Sequence, residues 1–425
     1  MKVLIVGSGG REHALAWKAK HSQLVTEIYV APGNGGTSNE EGVTNVEIVA
    51  NDIDRLVSFA KENQIDLTIV GPEVPLVKGI TDKFESLGLN CFGPSRKAAQ
   101  LEGSKEFMKD FLTRHGIPTA EYESFSDLEL AIKHLQRSKV PLVIKADGLA
   151  AGKGVTVAQS YAEAENAIRE CLEKKSFGDA GNKVVIEEFL EGEEASFIVL
   201  TDGKTVLPFA SSQDHKTRDN QDKGPNTGGM GAYSPTPVVT SEVHERIMDQ
   251  VITPTIEALA KEGIKYCGFL YAGLMVDKEH RIKVLEFNCR FGDPETQPIL
   301  MRLESDLIEL CYQASKGKLK KIELQWNPKV ALGVVMAAGG YPYNYEKGHP
   351  IVGLPPETKN LKVFHAGTQA QNSLIKTNGG RVLCVTALGK NTEEAQLNAY
   401  NCVKQINWKD CFYRTDIGYR AIKES

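Results

Sequence analysis

The chain has 425 residues, 41% hydrophobic and 25% charged, with 50 Lys+Arg against 55 Asp+Glu for a formal charge of -5. That length exceeds one core, so two or three packed lobes are expected. Mild acidity without a long basic run argues against nucleic acid or anionic membrane as a main partner.

The eight cysteines include no Cys-x-x-Cys pair, and the chain is far longer than a disulfide-stapled domain, so buried free thiols are expected. Met1 runs straight into a short apolar strand without a cleavage site. The longest apolar stretch, 330–338, is well short of a membrane span. The expectation is a cytoplasmic protein.

The first hundred or so residues alternate strand and helix. An apolar strand at 3–6 leads through a Gly turn into a helix over about 11–20, followed by strands at 27–30 and 46–48. Ile53, Leu56, Val57 and Ala60 fall at i, i+3, i+4 and i+7, one stripe of a helix. A strand at 65–70 closes at Gly71-Pro72, and a helix over 76–87 and a strand at 89–92 follow. This order predicts an open parallel sheet that binds ligand at the carboxyl ends of its strands.

The pattern then changes. A helix over 104–114 stops at Gly116 before Pro118. Strands at 141–145 and 155–158, with the loop between them, read as a hairpin. A helix over 161–174 and a strand at 184–187 close a small α+β lobe. Paired strands begin near 195. The Gly-rich 224–232 reads as an ordered loop, and a long helix over 241–262 and a hairpin over 270–288 come next. The last hundred residues carry strands at 331–338 and 381–388 and a helix over 392–406.

Five stretches could carry chemistry. GSGGRE at 7–12 follows a strand and opens a helix, where backbone amides favour an anion and Arg11 can add charge-assisted bonds. Glu12 stands where a dinucleotide fingerprint needs a small residue, and no acid ends the second strand, which argues against a nicotinamide oxidoreductase. KADGLAAGKGV at 145–155 lies between two strands. It reads as a glycine flap that closes over phosphates, with Lys145, Gly152, Lys153 and Gly154 at its base and tip. EEFLEGEE at 187–194 suits a nucleotide hinge, where backbone meets adenine and a carboxylate meets ribose.

KVLEFNCRFGDPE at 283–295 is the most specific stretch. Glu286 and Asn288 are two apart on a strand and share a face. Oxygen donors without Cys or His suit magnesium, which also takes waters and phosphate oxygens. Arg290, Gly292, Asp293 and Glu295 lie on the loop just after. SQDHKT at 212–217 and GPNTGGMGAYSP at 224–235 read as ligand-approaching loops. His215 is weighed as structural or substrate-contacting rather than as a base, because no Ser or Cys nucleophile motif accompanies it.

Stretches two to five, in this order and spacing, resemble the ATP-grasp superfamily. The whole chain resembles the glycinamide ribonucleotide synthetase family, through VLIVGSGGREHALAW, APGNGGT, GPEVPL, GPSRKAAQLEGSKEFMK and the motifs above, with ALGVVMAAGGYP and DIGYR in the tail. The resemblance implies an N-terminal α/β domain over 1–103, ATP-grasp lobes over 104–325 with a flap subdomain over about 118–192, and a C-terminal α+β domain over 326–425.

It also implies a reaction in which ATP, glycine and 5-phosphoribosylamine give glycinamide ribonucleotide, ADP and phosphate through glycyl phosphate. The alternative is another ATP-grasp carboxylate–amine ligase or a carboxylase. By the resemblance, Lys105 and Lys145 contact ATP phosphates, and Glu187, Leu190 and Glu194 hold adenine and ribose, with Glu191 and Glu193 as rivals for the ribose. Glu286 and Asn288 bind magnesium, with manganese as its substitute. Arg290 meets the transferring phosphoryl group. Gly9, Gly10, Arg11, Glu12, Pro72 and Glu73 receive phosphoribosylamine, its phosphate at the helix N-terminus, while Asp214, Gly229 and Gly292 face the other substrate groups. Strand 271–276 offers no second acidic metal ligand. A monomer is expected, with a transient contact to the enzyme that makes the labile amine.

Overall fold

A computed structural model describes residues 1–150 and 154–423. Its first unit contains β1 (Lys2–Gly7), α1 (Gly10–Ala19), β2 (Glu27–Pro32), β3 (Val43–Asn45), α2 (Ile53–Glu62), β4 (Leu67–Val70), α3 (Glu73–Val77), α4 (Ile80–Ser86) and β5 (Cys91–Phe92). The five strands form one parallel sheet in the order β3-β2-β1-β4-β5. The order reverses between β1 and β4, and in open sheets that is where the ligand crevice opens.

Two local readings change here. The third strand lies at Val43–Asn45 rather than 46–48. The expected helix over 76–87 is two helices, because Gly79 adopts a left-handed φ of 88° that a continuing helix cannot use.

The central region runs through α5 (Gln100–Gly103), α6 (Lys105–Arg114), β6 (Tyr122–Phe125), α7 (Leu128–Leu135), β7 (Leu142–Ala146), β8 (Val155–Ala158), α8 (Tyr161–Leu172) and β9 (Val184–Glu188). Strands β6-β9-β7-β8 make a four-stranded sheet, and β7 pairs antiparallel with β8, so the two strands flanking the glycine stretch do pair as expected. Next come β10 (Glu193–Thr201), β11 (Val206–Pro208), β12 (Gln213–Asp214), β13 (Thr217–Asp219), β14 (Lys223–Asn226) and β15 (Gly231–Ser234). The Gly-rich segment is therefore mostly strand, turning at 227–230.

Helical turns over 241–261 follow as α9 (Ser241–Ile247), a π turn and α10 (Thr253–Lys261). Then β16 (Gly268–Val276) and β17 (Ile282–Asn288) join the second sheet, ordered β11-β10-β16-β17. The chain continues through α11 (Thr296–Arg302), α12 (Leu307–Ser315), β18 (Val330–Ala337), β19 (Leu361–His365), β20 (Thr368–Gln371), β21 (Leu374–Thr377), β22 (Arg381–Gly389), α13 (Thr392–Val403) and α14 (Tyr419–Lys423). The last large sheet is ordered β12-β15-β18-β22-β19, so it is built from both sides of residue 325.

One apolar cluster ties the lobes together. Leu15 and Ala19 of α1, Phe269 and Phe291 of the central lobes, and Phe364 of β19 are all buried in it. Trp17 stacks edge-on against Phe364 at 5.6 Å, and Phe92 against Phe269 at 4.9 Å. Each fully buried aromatic of that cluster contributes about 2 kcal/mol from apolar burial. No helix among the described residues is long and apolar enough to cross a membrane.

Candidate active site

The N-terminal crevice lies at the carboxyl ends of β1 and β4. Gly7 has φ 131°, and a Cβ there or on Gly71 would run into the Glu12 side chain. That space is used by Glu12 itself. Its Oε2 accepts the Gly9 amide at 2.5 Å and its Oε1 accepts Arg11 Nε at 2.6 Å. The sequence reading puts a phosphate at this turn, but Glu12 already holds the Gly9 donor. Arg11 is buried and donates onward to the Phe291 carbonyl at 3.2 Å, linking the turn to the loop after β17.

Across the junction, the start of α6 with Lys105 rests on a network that begins with Ser104. Its hydroxyl caps α6 by accepting the Phe107 amide at 3.1 Å, and it donates to Asp147 at 3.0 Å. Asp147 also accepts the Glu106 amide at 2.7 Å, so the root of the glycine hairpin is tied to the start of α6. Lys105 Nζ reaches the Gly148 carbonyl at 3.1 Å. Burial lowers its pKa, against the pull of Glu286. Gly154 packs against Ala146 and Ala150, where a Cβ would collide with both. Gly152 and Lys153 lie outside the described residues.

Lys145 points inward from β7. Its ammonium is 2.9 Å from Glu187 and 3.1 Å from the Leu285 carbonyl. Glu187 also pairs with fully buried Lys109 at 3.0 Å. Its carboxylate is thus spent on two lysines. Leu190 is half-buried at the turn between β9 and β10. Of the rival acids beyond it, Glu194 faces the cleft: Lys216 Nζ lies 3.0 Å from it and 3.4 Å from Glu286. Glu193 alternates to the other face of β10.

Glu286 sits opposite Gly273 in the β16–β17 pair, where a Cβ on residue 273 would press on its Cγ at 3.1 Å. Lys216 acts most strongly on Glu286, ahead of opposing burial, and with Lys145, Lys105 and Arg290 it pulls the carboxyl down to about 2. Asn288 Oδ1 accepts Arg290 Nη2 at 3.2 Å. Arg290 is also 2.8 Å from Glu102 and 3.5 Å from Glu73, so it joins the end of β17 to the N-terminal crevice. Glu102 accepts the Cys289 amide at 2.7 Å, and burial pushes it up to about 7 despite Arg290. Among the described residues no three His, Cys, Asp or Glu are grouped to hold a metal ion alone.

The last wall is made by both halves of the third sheet. Gly229, with φ 109°, lets the 227–230 turn pass against Asp214 and Pro294. Burial, aided by Glu295, holds the Asp214 carboxyl well above its usual range. Gly292 leaves room for Glu295, which accepts the Ser196 hydroxyl at 2.9 Å. Arg381 of β22 donates to the carbonyls of Gly228, Gly229 and Asp293, and pairs with the Asp293 carboxylate at 3.3 Å.

His215 is wholly buried, with its ring accepting the Gly418 amide at 3.2 Å. Burial and then Arg420 and Arg414 lower its pKa to about 3, so it is a neutral structural residue.

Lys216, Glu102, Lys109 and Arg381 are site residues that the sequence reading does not single out. A second Gly-Gly-Arg at 379–381, echoing 9–11, was a signal for Arg381.

A parallel-sheet crevice, joined through one arginine to a two-lobed cleft lined by lysines and a carboxylate strand, defines an ATP-grasp ligase. Three family models match in series: Phosphoribosylglycinamide synthetase, N domain, over 1–102; its ATP-grasp (A) domain over 103–296; and its C domain over 331–420. The chain is 60% identical over 425 residues to phosphoribosylamine–glycine ligase of Escherichia coli (strain K12), covering 100% of this chain and 99% of that one. It is 61% identical over 423 residues to the ligase of that name from Allochromatium vinosum, covering 99% of each. A crystal structure of phosphoribosylamine–glycine ligase from Thermotoga maritima is similar at TM-score 0.84 and 33% identity, covering 98% of this chain and 100% of that one. A biotin carboxylase structure from Campylobacter jejuni, 15% identical with TM-score 0.75 over 97% of this chain and 92% of that one, shares the fold. The chain belongs to the phosphoribosylglycinamide synthetase family, and is an ATP-dependent ligase.

Proposed function

We propose that this chain joins glycine to 5-phosphoribosylamine at the expense of ATP, through glycyl phosphate, giving glycinamide ribonucleotide, ADP and phosphate. The observation that carries this reading is the setting of Glu286. One carboxylate faces Lys216, Lys145, Lys105 and Arg290, and Arg290 reaches across to Glu73 of the second crevice. A carboxylate on which four cations converge suits a polyphosphate site, and the bridge to Glu73 brings a second substrate to the point of transfer.

Phosphoryl transfer needs positioning and charge neutralisation rather than a protein nucleophile. Lys105 and Lys145 bind and orient the phosphates, while the backbone at 187–190 and the Glu194 carboxylate hold the nucleoside. Glu286 and Asn288 supply two oxygens of the kind magnesium or manganese accepts. The donor set fits a metal that completes its shell with phosphate oxygens. When bound, that metal would neutralise charge on the phosphates. Arg290 faces the transferring phosphoryl group and then the acyl phosphate.

Asp214, Gly229 and Gly292 shape the pocket for glycine and the attacking amine. With the Gly9 amide held by Glu12, the crevice made by Gly10, Pro72, Glu73 and Asp293 suits the hydroxyls and amine of the sugar better than its phosphate, since like charges repel. The division of labour follows 1–103 for phosphoribosylamine, 104–325 for ATP and 326–425 for closing the site. We infer a cytoplasmic monomer that takes its labile amine in a transient contact with the enzyme making it.

The test is ADP release with ATP, magnesium and glycine, with and without phosphoribosylamine generated in situ. Dependence on both glycine and the amine, with glycinamide ribonucleotide formed, supports the reading. ADP release indifferent to glycine would overturn it.

A further inference from the structure

Lys216 stands between two acids that the proposed nucleotide and metal both need. Its ammonium is 3.0 Å from Glu194 and 3.4 Å from Glu286, and about a third of its side chain is exposed to the cleft. Its backbone is anchored from three sides. The Lys216 carbonyl accepts the Thr227 amide at 2.7 Å and the Thr227 hydroxyl at 2.8 Å. The guanidinium of buried Arg414 donates to the carbonyl and hydroxyl of Thr217 at 3.2 and 3.0 Å. On the other side, the His215 amide donates to Gly231 at 2.9 Å. The root is therefore held while the four-carbon stem keeps its own torsions.

An ammonium resting on Glu286 and a divalent cation bound by Glu286 compete for the same carboxylate. The competition is one-sided in the absence of nucleotide, because the Lys216 ammonium then rests on the Glu194 and Glu286 carboxylates. A triphosphate changes that by offering the ammonium new oxygens within reach of its stem. Two ligands linked through one mobile group are thermodynamically coupled, and the coupling is reciprocal.

We propose that Lys216 is the resident counter-ion of the nucleotide-free site, which keeps divalent cations off Glu286 until a polyphosphate draws the ammonium away. This rests on the reading of the cleft as a nucleotide–metal centre. It makes Lys216 a positioning residue that sets the order of loading, with metal binding well only alongside nucleotide.

The experiment is Mn2+ binding to the full-length, nucleotide-free protein, read from the electron paramagnetic resonance signal of free Mn2+. It compares wild type with Lys216→Met, which keeps the stem, and Lys216→Arg, which keeps the charge. The expected result is about fivefold tighter Mn2+ binding by Lys216→Met, equivalent to about 1 kcal/mol at 1.4 kcal/mol per tenfold. Lys216→Arg is expected to stay near wild type. The tightening of Mn2+ by a non-hydrolysable ATP analogue should shrink in Lys216→Met by the same factor. Unchanged or weaker Mn2+ binding by a Lys216→Met protein with native circular dichroism would overturn the proposal. So would an equal tightening in Lys216→Arg. Glycine-dependent ADP release by wild type is measured separately. Its absence beside the expected Mn2+ result would reject the substrate assignment and leave the counter-ion role standing.

Discussion

Arg290 and Glu102 form a 2.8 Å ion pair behind the cleft, and Glu102 accepts the amide of Cys289, the residue next to Arg290, at 2.7 Å. One carboxylate thus holds both the head of the arginine and the backbone that carries it. Glu102→Gln keeps the shape and loses the charge. It should lower kcat about tenfold, the scale of a charge-assisted hydrogen bond, with KM for ATP little changed. Steady-state kinetics that showed a rise in KM(ATP) alone would place Glu102 in nucleotide binding instead.

Glu286 is the carboxylate on which the cations of the cleft converge. Glu286→Ala should cut magnesium-dependent turnover by about a hundredfold or more, as expected for losing a charge-stabilising group. Near-normal rates at millimolar magnesium would remove it from the metal site.

Arg11 braces Glu12 and reaches Phe291 without touching the lysine-lined cleft. Arg11→Ala should therefore raise KM for phosphoribosylamine and leave KM for ATP nearly unchanged. Gly71→Ala should act in the same direction, because its Cβ runs into the Glu12 carboxylate. Equal rises in both KM values would mean that the crevice does not serve the amine substrate.

His13, His215 and His365 are buried, and burial, the largest cause in each case, lowers their pKa values, to about 3 for the last two. The unfolded chain takes up protons near pH 6.5 that the fold refuses, so stability is full above that pH and falls as pH drops toward the folded values. The slope should reach about 1.4 kcal/mol per pH unit for each of His215 and His365. Urea unfolding at pH 8, 6.5 and 5 tests this, and His365→Gln should flatten the slope. A pH-independent midpoint in the wild type would contradict it.

Local pattern carried much of this protein into view. The parallel N-terminal sheet follows from strand–helix alternation, the β7–β8 hairpin from two strands flanking a glycine tip, and the shared face of Glu286 and Asn288 from their spacing of two. These are short-range consequences of backbone geometry, legible wherever the residues lie close in the chain. Parity does not say which face of a strand looks into the cleft. Glu187 therefore reads as a nucleotide contact, yet its carboxylate turns inward to Lys109 and Lys145.

The partners that decide the chemistry are far apart in sequence. Lys216 meets Glu286 across 70 residues, Arg381 meets Gly228 across 153, and Glu102 meets Cys289 across 187. No local pattern marks such pairs, because each buried charge is tolerable only once packing has brought a counter-charge or a backbone hydrogen-bond partner beside it. The sequence determined the lobes and the strand that carries the carboxylate. Tertiary packing alone decided which cations surround it.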